Sequence, residues 1–261
     1  MLGILAKTAE RRQSTVGQHT IVAVEARLGL QHMCADPLGE AFNSVQMGQQ
    51  KFKIRLTRDE NHAQSANLLI RKMYSWRGYT TAAAPVGHTT NKICLSVFFE
   101  EQTIGTLTVG LDAAEGLSAD AMYKDRIDPL RQSGHILCEM TKLAVDPNVR
   151  SRKVLASLFH IAYIHARYLS GSTDLLAEVN PRHVAFYERM LGFHQLGEER
   201  HCDRVNAPAV LLRVETAHMD AQIRKFGGQA EAAKGEKSIY PYFFSKADEV
   251  GIAQRLLENH Q

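Results

Sequence analysis

The sequence predicts an α/β fold: a mixed, mostly antiparallel sheet flanked by helices. Three observations carry this prediction. Residues 52–57 ("FKIRLT") alternate Phe52, Ile54 and Leu56 with polar neighbours, the period of a half-buried strand. Two strand-like runs, 92–101 and 102–112, meet at a tight turn and read as a hairpin. Beyond residue 134, strand-like and helix-like segments alternate, which brings a parallel pair into an otherwise antiparallel sheet and puts helices on its faces.

In chain order, residues 1–50 are weakly patterned and are expected to form an N-terminal helical arm. Within it, "HTIVAVEARLGLQHM" (19–33) lines up Ile21, Val24 and Leu28 as a helix. The core is expected over 51–215. A helix over 59–74 enters through Asp59 and ends at the loop "SWRGYTTAAAPVG". A second helix over 117–134 starts at Ser118 as N-cap and is interrupted near Pro129. Residues 135–145 form a strand. In 151–171, Val154, Leu155, Leu158, Ile161 and Ala162 recur with a helical period closed by Gly171. A strand (173–180), a helix (182–191, closed by Gly192) and two closing strands ("FHQLGEER", "PAVLLRVE") complete the sheet. The tail, 216–261, reads as a polar Gly/Ala-rich linker, an aromatic knot "IYPYFF" (239–244) and a docked helix with a capping box at Ser245 and Asp248.

Composition removes several classes of function. The 261 residues carry 44% apolar and 23% charged residues, ordinary for a globular protein. A net charge of +3, without a long Lys/Arg run or basic-aromatic interleaving, argues against nucleic acid. Cys34, Cys94, Cys138 and Cys202 are widely spaced, so reduced thiols in a cytoplasmic protein are expected rather than disulfides or zinc. No HExxH occurs among the twelve histidines, and no metal is expected. No stretch approaches the roughly 20 apolar residues of a membrane span, and the N-terminus lacks the layout of a signal peptide.

The segment "VDPNVRSRKVLASLF" (145–159) carries more information. A strand end runs into a basic turn and then an amphipathic helix, the layout that presents backbone N–H groups and a helix N-terminus to an anion. Arg150, Arg152 and Lys153 cluster there, where cations oppose the helix dipole unless an anion arrives. The segment resembles the acyl-CoA-binding motif of the GCN5-related N-acetyltransferase superfamily, V-x-P-x-x-R-G-x-G-(I/V)-G-x-x-L. Val145, Pro147, Arg150, Val154 and Leu158 are in register, and the three glycine positions hold Ser151, Lys153 and Leu155. A second segment, "NPRHVAFYERMLGF" (180–193), is similar to the superfamily's N-x-x-A-x-x-x-Y-(E/D)-K-x-G-F. Asn180 and Tyr187 keep the spacing, His183 replaces the usual Ala, and Gly192-Phe193 come one residue late.

The missing glycines, and "CEMTKLAV" (138–145) before them, resemble the branch that contains acyl-homoserine lactone synthases. That branch takes acyl chains from acyl carrier protein. Within it the chain looks most like the long-chain N-acyl amino acid synthases of the N-acyltyrosine type. The resemblance implies the GCN5-related N-acyltransferase fold and an acyltransferase (EC 2.3.1 type) that moves a medium or long fatty acyl group from acyl carrier protein to the α-amine of an amino acid, tyrosine. The donor is the carrier's acyl-phosphopantetheine, and no cofactor is bound permanently. Glu139 is the implied base and Tyr187 the implied general acid. N–H groups around Leu143, Ala144 and Val145 would hold the carbonyl oxygen, with Thr141, Asn180 and His183 also at the substrate. Lys142, Arg150, Ser151, Arg152 and Lys153 would face the phosphopantetheine and the acidic carrier, a task that suits long basic side chains. Glu139 has an alternative as an ion pair with Arg131 or Lys142, and Tyr187 as a packed core tyrosine. The acceptor carboxylate needs a cation, with Arg77, Arg131 and Arg182 as candidates. Residues 95–99, 107–111 and 154–165 are candidates to line an acyl slot. Rival readings are a CoA-dependent N-acetyltransferase of a small amine, an acyl-homoserine lactone synthase, and an idle acyl-binding regulator.

Overall fold

A computed structural model of the chain describes residues 20–29, 46–80, 91–149, 151–233 and 235–258. Nine strands form the sheet: β1 (Thr20–Gly29), β2 (Gln46–Leu56), β3 (Lys92–Phe99), β4 (Gln102–Leu111), β5 (Leu137–Val145), β6 (Asp174–Val179), β7 (His194–Gln195), β8 (Arg200–Cys202) and β9 (Ala207–Glu215). Their order is β1-β2-β3-β4-β5-β6-β9-β7, with β8 paired to β9. Every pairing is antiparallel except β5–β6. The expected mixed, mostly antiparallel sheet is therefore the one observed.

Six helices cover the sheet: α1 (Glu60–Ser75), α2 (Asp120–Gln132), α3 (Arg152–Ile164), α4 (Val184–Leu191), α5 (Thr216–Phe226) and α6 (Lys246–Glu258). On one face α1 packs Ala66, Leu69, Ile70 and Met73 against Cys94 and Ala144, and α2 packs Tyr123 and Ile127 against Leu137, Leu176 and Leu211. The main core lies on the other face, where Leu158 and Phe159 of α3 and Tyr187 and Leu191 of α4 join Cys138, Met140, Leu175 and Ala177. Helix α3 is buried almost all round, from Val154 to Ile164. Its outer side lies under the tail, whose Ile239, Tyr240, Phe243, Ile252 and Leu256 belong to the same core. A helix covered on both sides has to be apolar on both sides, which is why the 151–171 pattern is so strong.

Four local expectations need correction. Residues 20–29, read as helix, form strand β1. Val24 and Ala26 are buried while Ala23 and Glu25 are exposed, so the alternation pairs Val24 with Phe52 of β2. The spacing of Ile21, Val24 and Leu28 fits a helix too, and β-branched Thr20, Ile21, Val22 and Val24 decide for the strand. Helix α2 is capped at Ala119, with no side-chain cap bond, rather than at Ser118. Its irregularity falls at Tyr123 (φ −125°, ψ 24°) and not at Pro129, which sits inside the helix. The Tyr123 hydroxyl donates to the carbonyls of Glu198 and Ala209 and ties that turn to the sheet. Finally, the stretch after residue 215 begins with helix α5, which buries Met219 and Ile223, before any linker. The capping box is present: Ser245 bonds the Asp248 carboxylate at 2.6 Å and accepts its N–H at 3.2 Å.

Candidate active site

The parallel pair makes the opening. β5 and β6 are in register from Leu137–Asp174 to Met140–Ala177, and the ladder stops there although both strands continue. Opposite β4, two residues of β5 (Lys142 and Leu143, between Thr141 and Ala144) stand against one of β4 (Leu107, between Thr106 and Thr108). This is a β-bulge, and Lys142 takes its positive φ of 54°. Thr141, Leu143, Ala144 and Val145 thus lie on the part of β5 that is no longer paired with β6. Lys142 does not join the basic turn. It is half-buried in the bulge with Lys92, Cys94 and Glu139 as its charge neighbours, and burial lowers its pKa.

Beyond Val145 the chain turns through Asp146, whose carboxylate accepts the Asn148 N–H at 2.9 Å and meets Lys72 of α1 at 3.3 Å. Ser151 then caps α3, accepting the Val154 N–H at 3.3 Å. Its backbone is extended (φ −113°), a conformation open to any residue. Arg152 and Lys153 are exposed in the first turn of α3 and make no ion pair among the described residues. Arg150 lies outside the described residues.

Glu139 is 2% exposed, on the α2 side of β5. Its carboxylate accepts the Ser118 N–H at 2.8 Å and the Ala119 N–H at 3.1 Å, so it does the capping that no side chain of α2 does. Arg131 is not its partner. That guanidinium is held by Asp112, Asp120 and Asp128 at 2.7–2.8 Å, which also removes it from the candidates for an acceptor carboxylate.

Tyr187 sits among Phe159, Phe186 and Phe193, all edge-on at 5.4–6.1 Å. Its hydroxyl has no hydrogen-bond partner among the described residues, and burial, with Tyr74 nearby, pushes its pKa well up. Asn180 serves the backbone: its amide donates to the Pro208 carbonyl at 3.1 Å and its oxygen accepts the Arg182 N–H at 3.3 Å. His183 stands four residues before Tyr187, at the entry to α4, so the two share one helix face.

His183 also lines a cleft of about 450 Å³ together with Trp76, Arg77 and Arg182. Two of the three candidate arginines therefore meet at one place. Behind them lies a set that sequence reasoning did not single out. Arg182 lies over the Tyr79 ring and bonds its hydroxyl. Tyr74 packs edge-on against Tyr79 at 5.8 Å, and burial, reinforced by Tyr79, pushes its hydroxyl up to about 12. Glu178, at the end of β6, pairs with Arg204 at 2.6 Å. The only signal for the tyrosines was the density of aromatic and basic residues in "YSWRGY" (74–79). Burial first, then Arg182 and Arg77, lowers the His183 imidazole below its usual 6.5. Among the described residues no three His, Cys, Asp or Glu side chains gather as a metal site. No helix there is long and apolar enough to cross a membrane.

Comparison with known proteins agrees with this geometry. Residues 65–215 match the family model described as N-acyl amino acid synthase FeeM. No curated protein sequence matches. Among solved structures, FeeM, an N-acyl amino acid synthase from uncultured soil microbes, matches with a TM-score of 0.61 and 25% identity, over 66% of this chain and 95% of that one. The acyl-homoserine lactone synthase LasI matches with a TM-score of 0.44 and 12% identity, over 64% and 91%. An N-acetyltransferase structure from Lactobacillus plantarum matches with a TM-score of 0.47 and 14% identity, over 63% and 98%. The fold is that of the GCN5-related N-acyltransferases, and its β5–β6 ladder ends at Met140–Ala177. The family match spans both strands of that ladder and the helix that carries His183 and Tyr187, and the chain belongs to the FeeM family of N-acyl amino acid synthases.

Proposed function

We propose that the protein transfers a medium-to-long fatty acyl group from acyl carrier protein to the α-amine of L-tyrosine. The observation that carries this reading is the cleft of Trp76, Arg77, Arg182 and His183. Two guanidiniums suit the acceptor carboxylate, and the Trp76 ring that lines the cleft with them suits a phenol ring. The donor enters past the basic start of α3. Arg152 and Lys153, with Arg150, meet the single phosphodiester of the carrier's phosphopantetheine and the acidic residues around it, and Ser151 holds the turn. A cytoplasmic location follows from that donor, and no resident cofactor takes part.

In this reading the thioester carbonyl lies against the N–H groups of Leu143–Val145. The amine attacks it, the C–N bond forms, the C–S bond breaks, and the Tyr187 phenol gives its proton to the departing sulfur. A raised pKa keeps that proton in place at neutral pH. Glu139 takes a positioning role, because its carboxylate is occupied by two main-chain N–H groups and closed off by burial. The test is an acyl-donor panel (acyl carrier protein, acyl-CoA and a pantetheine thioester) against all amino acids, with N-acyl products read by mass spectrometry. Product from acyl carrier protein and tyrosine is expected. Turnover of acyl-CoA as fast as acyl carrier protein would remove the carrier, and preference for another amino acid would remove tyrosine.

A further inference from the structure

We propose that His183 is the proton acceptor for the attacking amine, and that it works with Tyr187 as a base–acid pair on one face of α4. This rests on the N-acylation reading and adds its missing base. In an α-amino acid the amine and the carboxylate hang on the same carbon. Whatever group takes the amine's proton must therefore sit in the pocket that holds the carboxylate. Arg77 and Arg182 are the cations of the cleft, and His183 is the titratable side chain that lines it with them.

The imidazole is available for this task. It is half-buried, and its ring makes no hydrogen bond or ion pair among the described residues. The three carboxylates on β5 and β6 are engaged, Glu139 by two N–H groups, Glu178 by Arg204 at 2.6 Å and Asp174 by Arg213 at 2.7 Å. The charges that act on His183 come from Arg182 on its own turn and Arg77 beyond the end of α1. Burial and the two arginines keep the ring neutral at neutral pH, the form that accepts a proton. A bound carboxylate offsets the arginines and makes room for the imidazolium. His183 stands at the N-cap of α4, four residues before Tyr187.

Protons balance. The ammonium gives one proton to His183 before attack, and His183 passes it to water. A second leaves nitrogen as the tetrahedral intermediate collapses and restores the Tyr187 phenol, which has protonated the thiolate. The net products are amide, thiol and one released proton.

The experiment compares wild type, His183→Gln and His183→Ala over pH 5–9 with a pantetheine thioester donor and tyrosine. A loss in kcat of about 10²–10⁴-fold is expected for both variants, with donor KM unchanged and the acidic limb of the pH profile removed. Added imidazole is expected to restore His183→Ala in part. Unchanged melting temperatures separate this from misfolding. An active wild type with His183→Gln within threefold of it and the same acidic limb overturns the base assignment alone. A wild type that acylates no amino acid with any donor overturns the N-acylation reading, and this assignment with it.

Discussion

Gly110 and Glu139 lie directly opposite each other on β4 and β5, and their contact decides what the buried glutamate does. A Cβ at Gly110 would stand 2.9 Å from Glu139 Cγ and 3.0 Å from Oε1, so a methyl group there must push the carboxylate off the Ser118 and Ala119 amides. Gly110→Ala is therefore expected to cost about 1–3 kcal/mol, the loss of a helix cap plus overpacking, seen as a lower urea midpoint. Glu139→Gln keeps one oxygen for one of the two amides and is expected to cost less than Gly110→Ala. A kcat deficit of 10³-fold in Glu139→Gln at unchanged stability would instead make Glu139 the base. The arginines separate in the same way. Arg77→Ala and Arg182→Ala are expected to raise the KM for the amino acid about tenfold or more, with the donor KM unmoved. Arg131→Ala is expected to lower stability and leave both KM values alone, because its guanidinium is already held by three aspartates. Equal effects of all three on acceptor KM would contradict the cleft as the carboxylate site.

At the scale of elements, the start of α3 is where charge and helix dipole conflict. Its first turn holds Arg152 and Lys153 and no acid, an arrangement that waits for an anion. Reversing both (Arg152→Glu with Lys153→Glu) is expected to raise KM for acyl carrier protein at least tenfold while a pantetheine thioester reacts as before, and 0.5 M salt is expected to shrink the difference. Equal loss with both donors would put these residues in the chemistry rather than in docking. The element itself was legible in the sequence, because burial on both sides wrote an unbroken apolar pattern into 154–164. So were β3 to β6, α1 and the second half of β2 (52–56), whose periods are simple, whereas 46–50 of β2 read as loop. Strand β1 was not, since its alternation runs over only a few residues and overlaps a helical spacing. The bulge at Lys142 was invisible too, because a non-glycine residue takes the positive φ and nothing in its side chain announces that. Of the site, the two motif helices and the paired arginines Arg77 and Arg182 were legible as residues. Their meeting was not: it depends on the end of α1 and the entry to α4 closing on the same cleft, a tertiary fact with no local signature. Glu139 was legible as a strand residue but not as a cap, since its partners are amides 20 residues away.

At the scale of the whole molecule, the tail beyond residue 215 lies outside the family match and yet completes the main core. Its anchor is a buried polar network. His160 of α3 is stacked on Phe243 and Phe244 at 4.7 and 5.3 Å, accepts the Phe244 N–H on Nδ1 at 3.0 Å, and meets Glu249 through Nε2 at 3.0 Å. Glu249 also takes the Tyr168 hydroxyl and the Lys246 ammonium at 2.5 Å each. An imidazole that accepts on Nδ1 and donates from Nε2 is neutral, and a second proton would land facing the Phe244 N–H. Burial accordingly lowers His160 below 6.5. For Glu249 burial alone would raise the pKa, but the bonds from His160, Lys246 and Tyr168 outweigh it and leave the carboxyl below its usual 4.5. Both shifts have the same sign for stability. The unfolded chain takes up the His160 proton near pH 6.5 while the folded chain does not, so this part of the stability is whole above 6.5 and lost as pH falls through the folded value; Glu249 adds a further loss below 4.5. Phe243→Ala, which empties the stack, is expected to cost about 3–5 kcal/mol at neutral pH. His160→Gln can keep both hydrogen bonds without titrating, so its urea midpoint is expected to fall less than that of wild type between pH 7 and 5. Parallel midpoints for the two proteins over that range would show that His160 is already protonated in the fold. The tail would then be held by Phe243 and its apolar neighbours, with the ion network as a bystander.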